Sequence, residues 1–502
     1  AKLGNREALY KLGFLYENGY GVEQDYSKAA EYYQNAGDLG YSYALYSLGK
    51  LYENGNGVQK DFSKAFDLFI KSSELGNADA MNSLGSYYYL GENVKQDYCK
   101  AFDYFNRSAY LNSTYGTFNV GLCYEYGKGI KKDFSEALKW YEKAGNLGLS
   151  NGFRCAGKLY ENGHLGEKKD DEAIEYYKKA ANLGDIESLR YIGILYENRK
   201  DYANAFEYFK KAADLNDSIS LHNVGKCYEY GRGTLKDDKK AFEFYQKSAE
   251  LNYSIAFRFL GFCYYKGIGV KQDYKKAVEH FQKAADDNDS VSLIYLGICY
   301  QNGKGVVKNP TNAYNYYLRA SNLGNSDAKN SLGLCYKNGI GVKQDMKKAI
   351  DYFEKSATEG NCSAFYSLAI CYYKGEGVKQ NKSKALEYCM KASDHGNSSA
   401  SYYLGLYYEE GLFISNNSKA FEYYKKAADQ GNTEAFYNVA ICYEKGRGVD
   451  KDIKKAFEYY KKSAEAGNED AFYNLALCYD KGLGVEQNKE KASEYYRKSP
   501  KK

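Results

Sequence analysis

Side chains suited to acid–base or metal chemistry are sparse in this 502-residue chain, and their spacing assembles no site. Four histidines, His164, His222, His280 and His395, have no partner at the short spacings that bring two metal ligands together, so each reads as a packing or surface residue. Ser47-Leu48-Gly49-Lys50 and Ser326-Asp327-Ala328-Lys329 carry the Ser-x-x-Lys spacing in which a lysine sits beside a serine nucleophile, but neither Ser-Asp-Asn nor Lys-Thr-Gly follows to complete that machinery. Among 70 basic residues such spacings arise by chance. The nearest approach to a phosphate-cradling loop runs from Gly297 to Gly305, where Gly303-Lys304 comes one residue late and is followed by Gly instead of Ser or Thr. Its Gly-x-Gly also follows a helical pattern, not a strand. No catalytic residue, metal ligand or cofactor site is assigned on these grounds, and the chain reads as a non-enzyme.

That Gly-x-Gly belongs to a repeating unit. The stretch from Leu332 to Asp345 recurs along the chain, and its leading apolar residue falls at Leu12, Leu48, Leu84, Val120, Ala156, Ile192, Val224, Leu260, Leu296, Leu332, Leu368, Leu404, Val439 and Leu475. The interval is 36 residues except for 32 before Val224 and 35 before Val439, so one structural unit is stacked fourteen times. Each unit holds two helical patterns: Ala8, Leu12, Leu15 and Tyr16 share one face, as do Ala29, Tyr32, Tyr33 and Ala36. Four residues before the Ala that opens the second pattern stands Asp or Asn in all copies but one, where Lys169 replaces it; these side chains cap the free N–H groups of a first turn. Pro310 directly follows such a cap, Asn309. Each unit closes at Gly or Asn, from Gly40 and Asn112 to Gly467, the residues that tolerate the left-handed conformation ending a helix. Gly13, Gly49, Gly85 and their counterparts lie inside the first helix, a slot that holds only Gly or Ala, so a neighbouring helix must approach closely.

The expected fold is all-α: an α-solenoid of about fourteen stacked antiparallel helix pairs. The units run 5–40, 41–76, 77–112, 113–148, 149–184, 185–216, 217–252, 253–288, 289–324, 325–360, 361–396, 397–431, 432–467 and 468–502, within a single solenoid over 1–502. In these residues the chain resembles the Sel1-like repeat, a relative of the tetratricopeptide repeat with a longer loop between its helices. The resemblance covers Asn5 to Ser499 and implies a right-handed superhelix. Departures are few. The family's frequent Trp survives at Trp140 only, the sixth unit runs Asn198-Arg199-Lys200-Asp201-Tyr202 without the Gly-x-Gly loop, and Gly411-Leu412-Phe413-Ile414 breaks the pattern in the twelfth, so irregularity is expected at both places.

Composition bounds the partners. A formal net charge of +5 is too small to argue for nucleic acid, and the Lys-Lys pairs such as Lys178-Lys179 read as a solvated helix face. No apolar run approaches the ~18 residues of a membrane span. Eight of twelve cysteines (Cys123, Cys227, Cys263, Cys299, Cys335, Cys371, Cys442 and Cys478) occupy one repeat position that is Leu in Leu15, Leu51, Leu159 and Leu195, so they read as core thiols in a reducing compartment. The expected location is the cytoplasm, with the lumen of the endoplasmic reticulum as the alternative. The opening Ala1-Lys2-Leu3-Gly4-Asn5 matches the end of a second helix and reads as the start of a fragment of a longer chain.

A solenoid without a catalytic cluster binds proteins. The resemblance implies a scaffold or adaptor that assembles a larger complex; the alternatives are a lumenal adaptor of a degradation complex at the endoplasmic reticulum and the repeat region of a larger enzyme such as a kinase. In the related tetratricopeptide fold the first helices line the concave groove. The slot two before the leading residue would face it, forming a basic band of Arg154, Arg190, His222 and Arg258 and a tyrosine ladder of Tyr366, Tyr402, Tyr437 and Tyr473. Asn119, Asn223, Asn438 and Asn474 adjoin that row as candidate partners for a peptide backbone. Arg and Tyr anchor interfaces, so the expected ligand is an acidic or extended protein segment.

Overall fold

The computed structural model describes residues 5–411 and 415–499. The described residues form 28 α-helices, α1 (Arg6–Asn18) and α2 (Tyr26–Asp38) through α27 (Glu469–Lys481) and α28 (Lys489–Lys498), and no strand. Odd-numbered helices are the first of each repeat and even-numbered helices the second. Two compact units result, residues 1–252 and 253–502, each holding seven helix pairs. Within each unit a first helix packs on its own second helix, which packs in turn on the next first helix. The opening residues Ala1 to Gly4, and Leu412, Phe413 and Ile414 of the twelfth repeat, lie outside the described residues.

Helix starts and stops follow the residues expected to set them. Asp25 accepts from the N–H of Lys28, Asp273 from Lys275 and Lys276, and Asn309 from Asn312 with Pro310 in the first turn, while Lys169 provides no side-chain cap. The closing asparagines adopt the left-handed conformation, with φ of 59° at Asn112, 61° at Asn216 and 63° at Asn288. Close helix approach explains the mid-helix glycine. A Cβ placed on Gly49 would stand 2.6 Å from Cε1 of Phe69, the ring that fills the repeat's centre.

Those central rings bear a polar end where they are tyrosine. Tyr33 donates to Glu17 (2.5 Å), Tyr245 to Glu229 (2.5 Å), Tyr460 to Glu444 (2.5 Å) and Tyr317 to Gln301 (3.0 Å), and Tyr141 and Tyr177 to Glu125 and Glu161. A buried phenol thus always finds an acceptor sixteen residues earlier in these repeats, which removes the cost of an unmet O–H. Burial, followed by the neighbouring glutamate, pushes the Tyr177 and Tyr460 phenols far above the ordinary tyrosine range. Beside most central rings a second aromatic pair stacks across the two helices, as Tyr88 on Tyr104 at 5.8 Å and Tyr479 on Tyr495 at 5.8 Å. A lysine of the second helix lies over it, Lys100 at 5.2 Å from Tyr88 and Lys491 at 5.4 Å from Tyr479.

Candidate functional site

The side chains expected to line a binding surface all sit on first helices, but in different states. Arg154 is engaged by Asp185 (2.9 Å) and Glu187, Arg190 by Asp217 (2.6 Å), and Arg258 by Asp289 (2.8 Å). In each case the carboxylate is the N-cap of the next first helix; its other oxygen accepts the N–H of Ser188 or Ser220, and Asp289 likewise accepts from Ser292. Only 11% of the Arg190 side chain and 13% of the Asp217 side chain remain exposed. The arginines therefore clasp consecutive repeats, their charge met inside the fold, and do not present an open basic band. His222 is 5% exposed and packs at 5.3 Å from the Tyr245 ring. An expected surface residue is thus a core residue, because the central Tyr245 packs over it.

The tyrosines remain at the surface. Tyr366, Tyr402, Tyr437 and Tyr473 are half-buried, and three of them lean on the central rings of their own repeats: Tyr402 on Tyr424 at 5.9 Å, Tyr437 on Tyr460 at 5.8 Å and Tyr473 on Tyr496 at 5.8 Å. Around them lie aromatics outside the expected row. Tyr366 meets Tyr403 at 5.9 Å, and Tyr373 stacks on Tyr407 at 5.5 Å across two consecutive first helices, α21 (Cys362–Lys374) and α23 (Ser398–Glu409). Burial pushes the Tyr366, Tyr402 and Tyr407 phenols above the ordinary range, so they stay neutral hydrogen-bonding groups.

Of the four asparagines, Asn119 donates to Asn82 (2.8 Å) and Asn474 to the Tyr437 hydroxyl (3.2 Å), while Asn223 and Asn438 are half-buried. Asn119 and Asn474 each line a pocket between two first helices. The pocket between α5 (Ala78–Leu90) and α7 (Thr114–Tyr126) is a slot of about 140 Å³ walled by Tyr89, Leu90, Phe105 and Leu122. The one between α25 (Thr433–Lys445) and α27 is a cavity of about 570 Å³ with Leu477 and Ile453 in its wall and Lys445, Lys451 and Lys481 around it. Sequence reasoning missed those lysines, although the slot six after the leading residue, where Lys445 and Lys481 stand, varies as freely as the slot it did follow.

The groups that could do chemistry are otherwise occupied. His164 stacks on Phe134 at 4.4 Å and His280 on Tyr264 at 5.4 Å, while Lys50 and Lys329 of the Ser-x-x-Lys segments pair with Glu53 and Glu359. Among the described residues no three His, Cys, Asp or Glu side chains converge as a metal would require, and no helix is long and apolar enough to cross a membrane. No disulfide joins cysteines among the described residues, and the eight that share a repeat position are buried. Burial pushes the Cys123 thiol up to about 12 and the Cys335 thiol up to about 11.

Comparison with known proteins agrees with this architecture. The Sel1 repeat model matches fourteen times between residues 6 and 499, from 6–41 and 42–77 to 433–468 and 470–499. The crystal structure of c5321, a protective antigen of uropathogenic Escherichia coli with an SLR fold, is similar at 28% identity over 86% of each chain, with a TM-score of 0.53. A Sel1 repeat protein of Oxalobacter formigenes is 31% identical over 45% of this chain and 92% of its own (TM-score 0.41). No curated protein matches the sequence. Sel1 repeat proteins are generally non-enzymatic and mediate protein–protein interaction. With fourteen repeats of one pattern filling it from residue 6 to residue 499, the chain belongs to the Sel1 repeat family.

Proposed function

We propose that this chain is a non-catalytic scaffold that holds extended segments of partner proteins against its first helices and so helps to assemble a larger complex. The observation that supports this reading best is the aromatic cluster of Tyr366, Tyr373, Tyr402, Tyr403 and Tyr407. It is more aromatic surface than packing consumes, since Tyr403 keeps 40% of its area exposed. Aromatic rims with a hydroxyl at the tip provide rigid contact area and hydrogen bonds at small entropic cost, the pattern of interface anchors. The engaged arginines shift the expected contact away from Arg154, Arg190 and Arg258 and toward the tyrosines and the two pockets. The reading places the protein in a reducing compartment, the cytoplasm first, because eight of the nine buried cysteines fill a core slot where other repeats carry leucine.

The test is to pan a random-peptide display library on the full chain and map the selected peptides by hydrogen exchange. Protection confined to odd-numbered helices is the expected outcome. Protection of even-numbered helices, or failure of any peptide to be enriched over a scrambled control, refutes the proposal.

A further inference from the structure

The cavity between α25 and α27 brings three lysines together around one opening. Lys445 ends α25, Lys481 ends α27, and Lys451 immediately precedes Asp452, the cap of α26 (Ile453–Glu465). None of the three has a carboxylate partner among the described residues, whereas nearby acids are taken: Asp480 by Lys489 (2.7 Å) and Asp452 by Lys455 (3.4 Å). One carboxylate, Glu444, lines the cavity, and the Tyr460 hydroxyl donates to it. Below the lysines the wall is apolar, with Ile453, Ala456, Leu477 and Cys478, and Asn474 supplies an amide.

Each lysine alone is an ordinary occupant of its slot, and it is their combination that is particular to this opening. In six repeats the residue before the second-helix cap is Gln, whose side-chain amide can bond a carbonyl of the preceding helix, as Gln344 to Lys337 (2.8 Å), Gln380 to Tyr373 (2.8 Å) and Gln487 to Asp480 (2.6 Å). Seven others carry Lys there, Lys451 among them, which brings a charge in place of that internal bond. A lysine that ends a helix suits the helix dipole alone, but only in repeats thirteen and fourteen do Lys445, Lys451 and Lys481 coincide around one opening. The equivalent slot between α5 and α7 carries Leu90 and Tyr89 where this one carries Lys445 and Glu444, and no lysine lines it.

We infer that the cavity between α25 and α27 is a docking site for an acidic protein segment, with an aliphatic or aromatic side chain seated on Ile453 and Leu477 and flanking Asp or Glu carboxylates met by Lys445, Lys451 and Lys481. This rests on the scaffold reading and names the partner chemistry of one part of its surface. Three positive charges around an apolar depression fit a peptide that carries carboxylates on either side of one apolar residue. Selectivity follows from mismatch, because a basic segment would bring like charges together over the same opening.

The probe is a fluorescein-labelled octapeptide of glutamate and aspartate around a central leucine, compared with its Gln/Asn counterpart by fluorescence anisotropy on the full chain. Lys445→Gln, Lys451→Gln and Lys481→Gln are combined in one variant. A control variant carries Lys131→Gln, Lys168→Gln and Lys239→Gln, which removes the same net charge from exposed positions elsewhere. All six lysines are exposed, so helix content and thermal unfolding should not change. Taking each pair as a factor of about 3, the cavity variant should bind the acidic peptide ~30-fold more weakly, with the control at wild-type affinity. Binding of wild type should also collapse at about 1 M salt, where the screening length is ~3 Å. Equal affinity of wild type and cavity variant overturns the inference, as does an equal loss in the control, which would make net charge the cause. If the Gln/Asn peptide binds as well as the acidic one, the inference falls while the scaffold reading stands. If neither peptide binds but library peptides protect other odd-numbered helices, again only the inference falls.

Discussion

Replacing Arg190 by Met should loosen the junction between the sixth and seventh repeats. The substitution keeps an aliphatic stem that packs but removes the guanidinium that Asp217 accepts from at 2.6 Å. A hydrogen bond to a charged group contributes about 1.5–3 kcal/mol, and an exposed ion pair about 0.2–1 kcal/mol. With roughly an eighth of either side chain left in solvent, this pair lies between those cases, and a coupling of ~1–2 kcal/mol is expected. Asp217→Ala would not measure it, because Asp217 also caps α13 (Ser218–Tyr230) through the Ser220 N–H at 2.8 Å. Asp217→Asn keeps a cap acceptor and removes the charge, so Arg190→Met, Asp217→Asn and the double variant form the informative cycle.

A stack of repeats does not unfold in one step, so the readout is local: amide exchange in α11 (Ile186–Asn198), α12 (Tyr202–Asp214) and α13. A loss of 1–2 kcal/mol should speed exchange there about 5- to 30-fold, with α3 (Ser42–Asn54) unchanged. A coupling below ~0.3 kcal/mol, or faster exchange spread evenly over residues 5–252, would refute the clasp. Retained protection together with loss of peptide binding would return Arg190 to the binding surface.

Gly57→Ala should cost ~2–4 kcal/mol in repeat stacking, because φ is +68° and the new Cβ would strike the Tyr26 backbone of the preceding repeat; thermal unfolding of the full chain measures it. Native alkylation should label exposed Cys99 first and spare Cys123, Cys299 and Cys335, whose thiols are buried and pushed up to about 11 or 12; uniform labelling seen by peptide mass mapping would contradict the core assignment. Stability should be flat from pH ~7 to ~9 and fall above pH ~10, since the Tyr177 and Tyr460 phenols are raised in the fold and the unfolded chain alone releases their protons first; a transition midpoint unchanged from pH 9 to about 11 would contradict this.

The repeat was legible because its signals are local and recur: an Asp or Asn cap four residues before an Ala, a mid-helix Gly opposite a ring, and Gly or Asn at the close each depend on one residue's own conformational preference. What Arg154, Arg190 and Arg258 do was not legible from their own slot, because their partners stand about 30 residues away in the next repeat. A slot-by-slot comparison carries the missing signal. Among the first-helix caps Asp occurs only at Asp185, Asp217 and Asp289, each one repeat after an Arg, and each followed three residues later by Ser188, Ser220 or Ser292. Where the cap is Asn, as at Asn77, Asn325 and Asn468, the third residue is Ala and no Arg precedes. The lysine-ringed cavity was hidden for a different reason. Two helix ends and a loop from two repeats build it, and no single helix face contains all three charges.

Two of the three clasps flank the sixth repeat, which lacks its loop glycines, and at the junction with the fifth repeat a physical reason connects the two features. In most repeats the second loop glycine lies against the first turn of the preceding second helix, as Gly57 does against Tyr26 and Gly129 against Tyr98. The sixth repeat is four residues shorter, with Lys200 at φ 61° turning the chain directly from α11 into α12, so no loop glycine reaches back. Arg199 reaches instead, pairing with Asp170 (3.3 Å) and Asp171 (2.6 Å) at the start of α10 (Asp170–Asn182). Together with Arg154 on Asp185, the junction with the fifth repeat rests on charge where others rest on close backbone contact, whereas at the junction with the seventh Gly233 lies against Tyr202 and Arg190 on Asp217 adds to that contact. Charge differs from packing in one measurable respect, since salt screens it. Raising sodium chloride from ~0.1 M to ~1 M shortens the screening length from about 10 Å to 3 Å. Exchange in α11 should then accelerate by a few-fold, most through the partly exposed Arg199 contacts, while α3 and α7, whose repeats reach back with Gly57 and Gly129, keep their rates. Equal salt response along residues 5–252 would show that the short repeat stacks by packing alone.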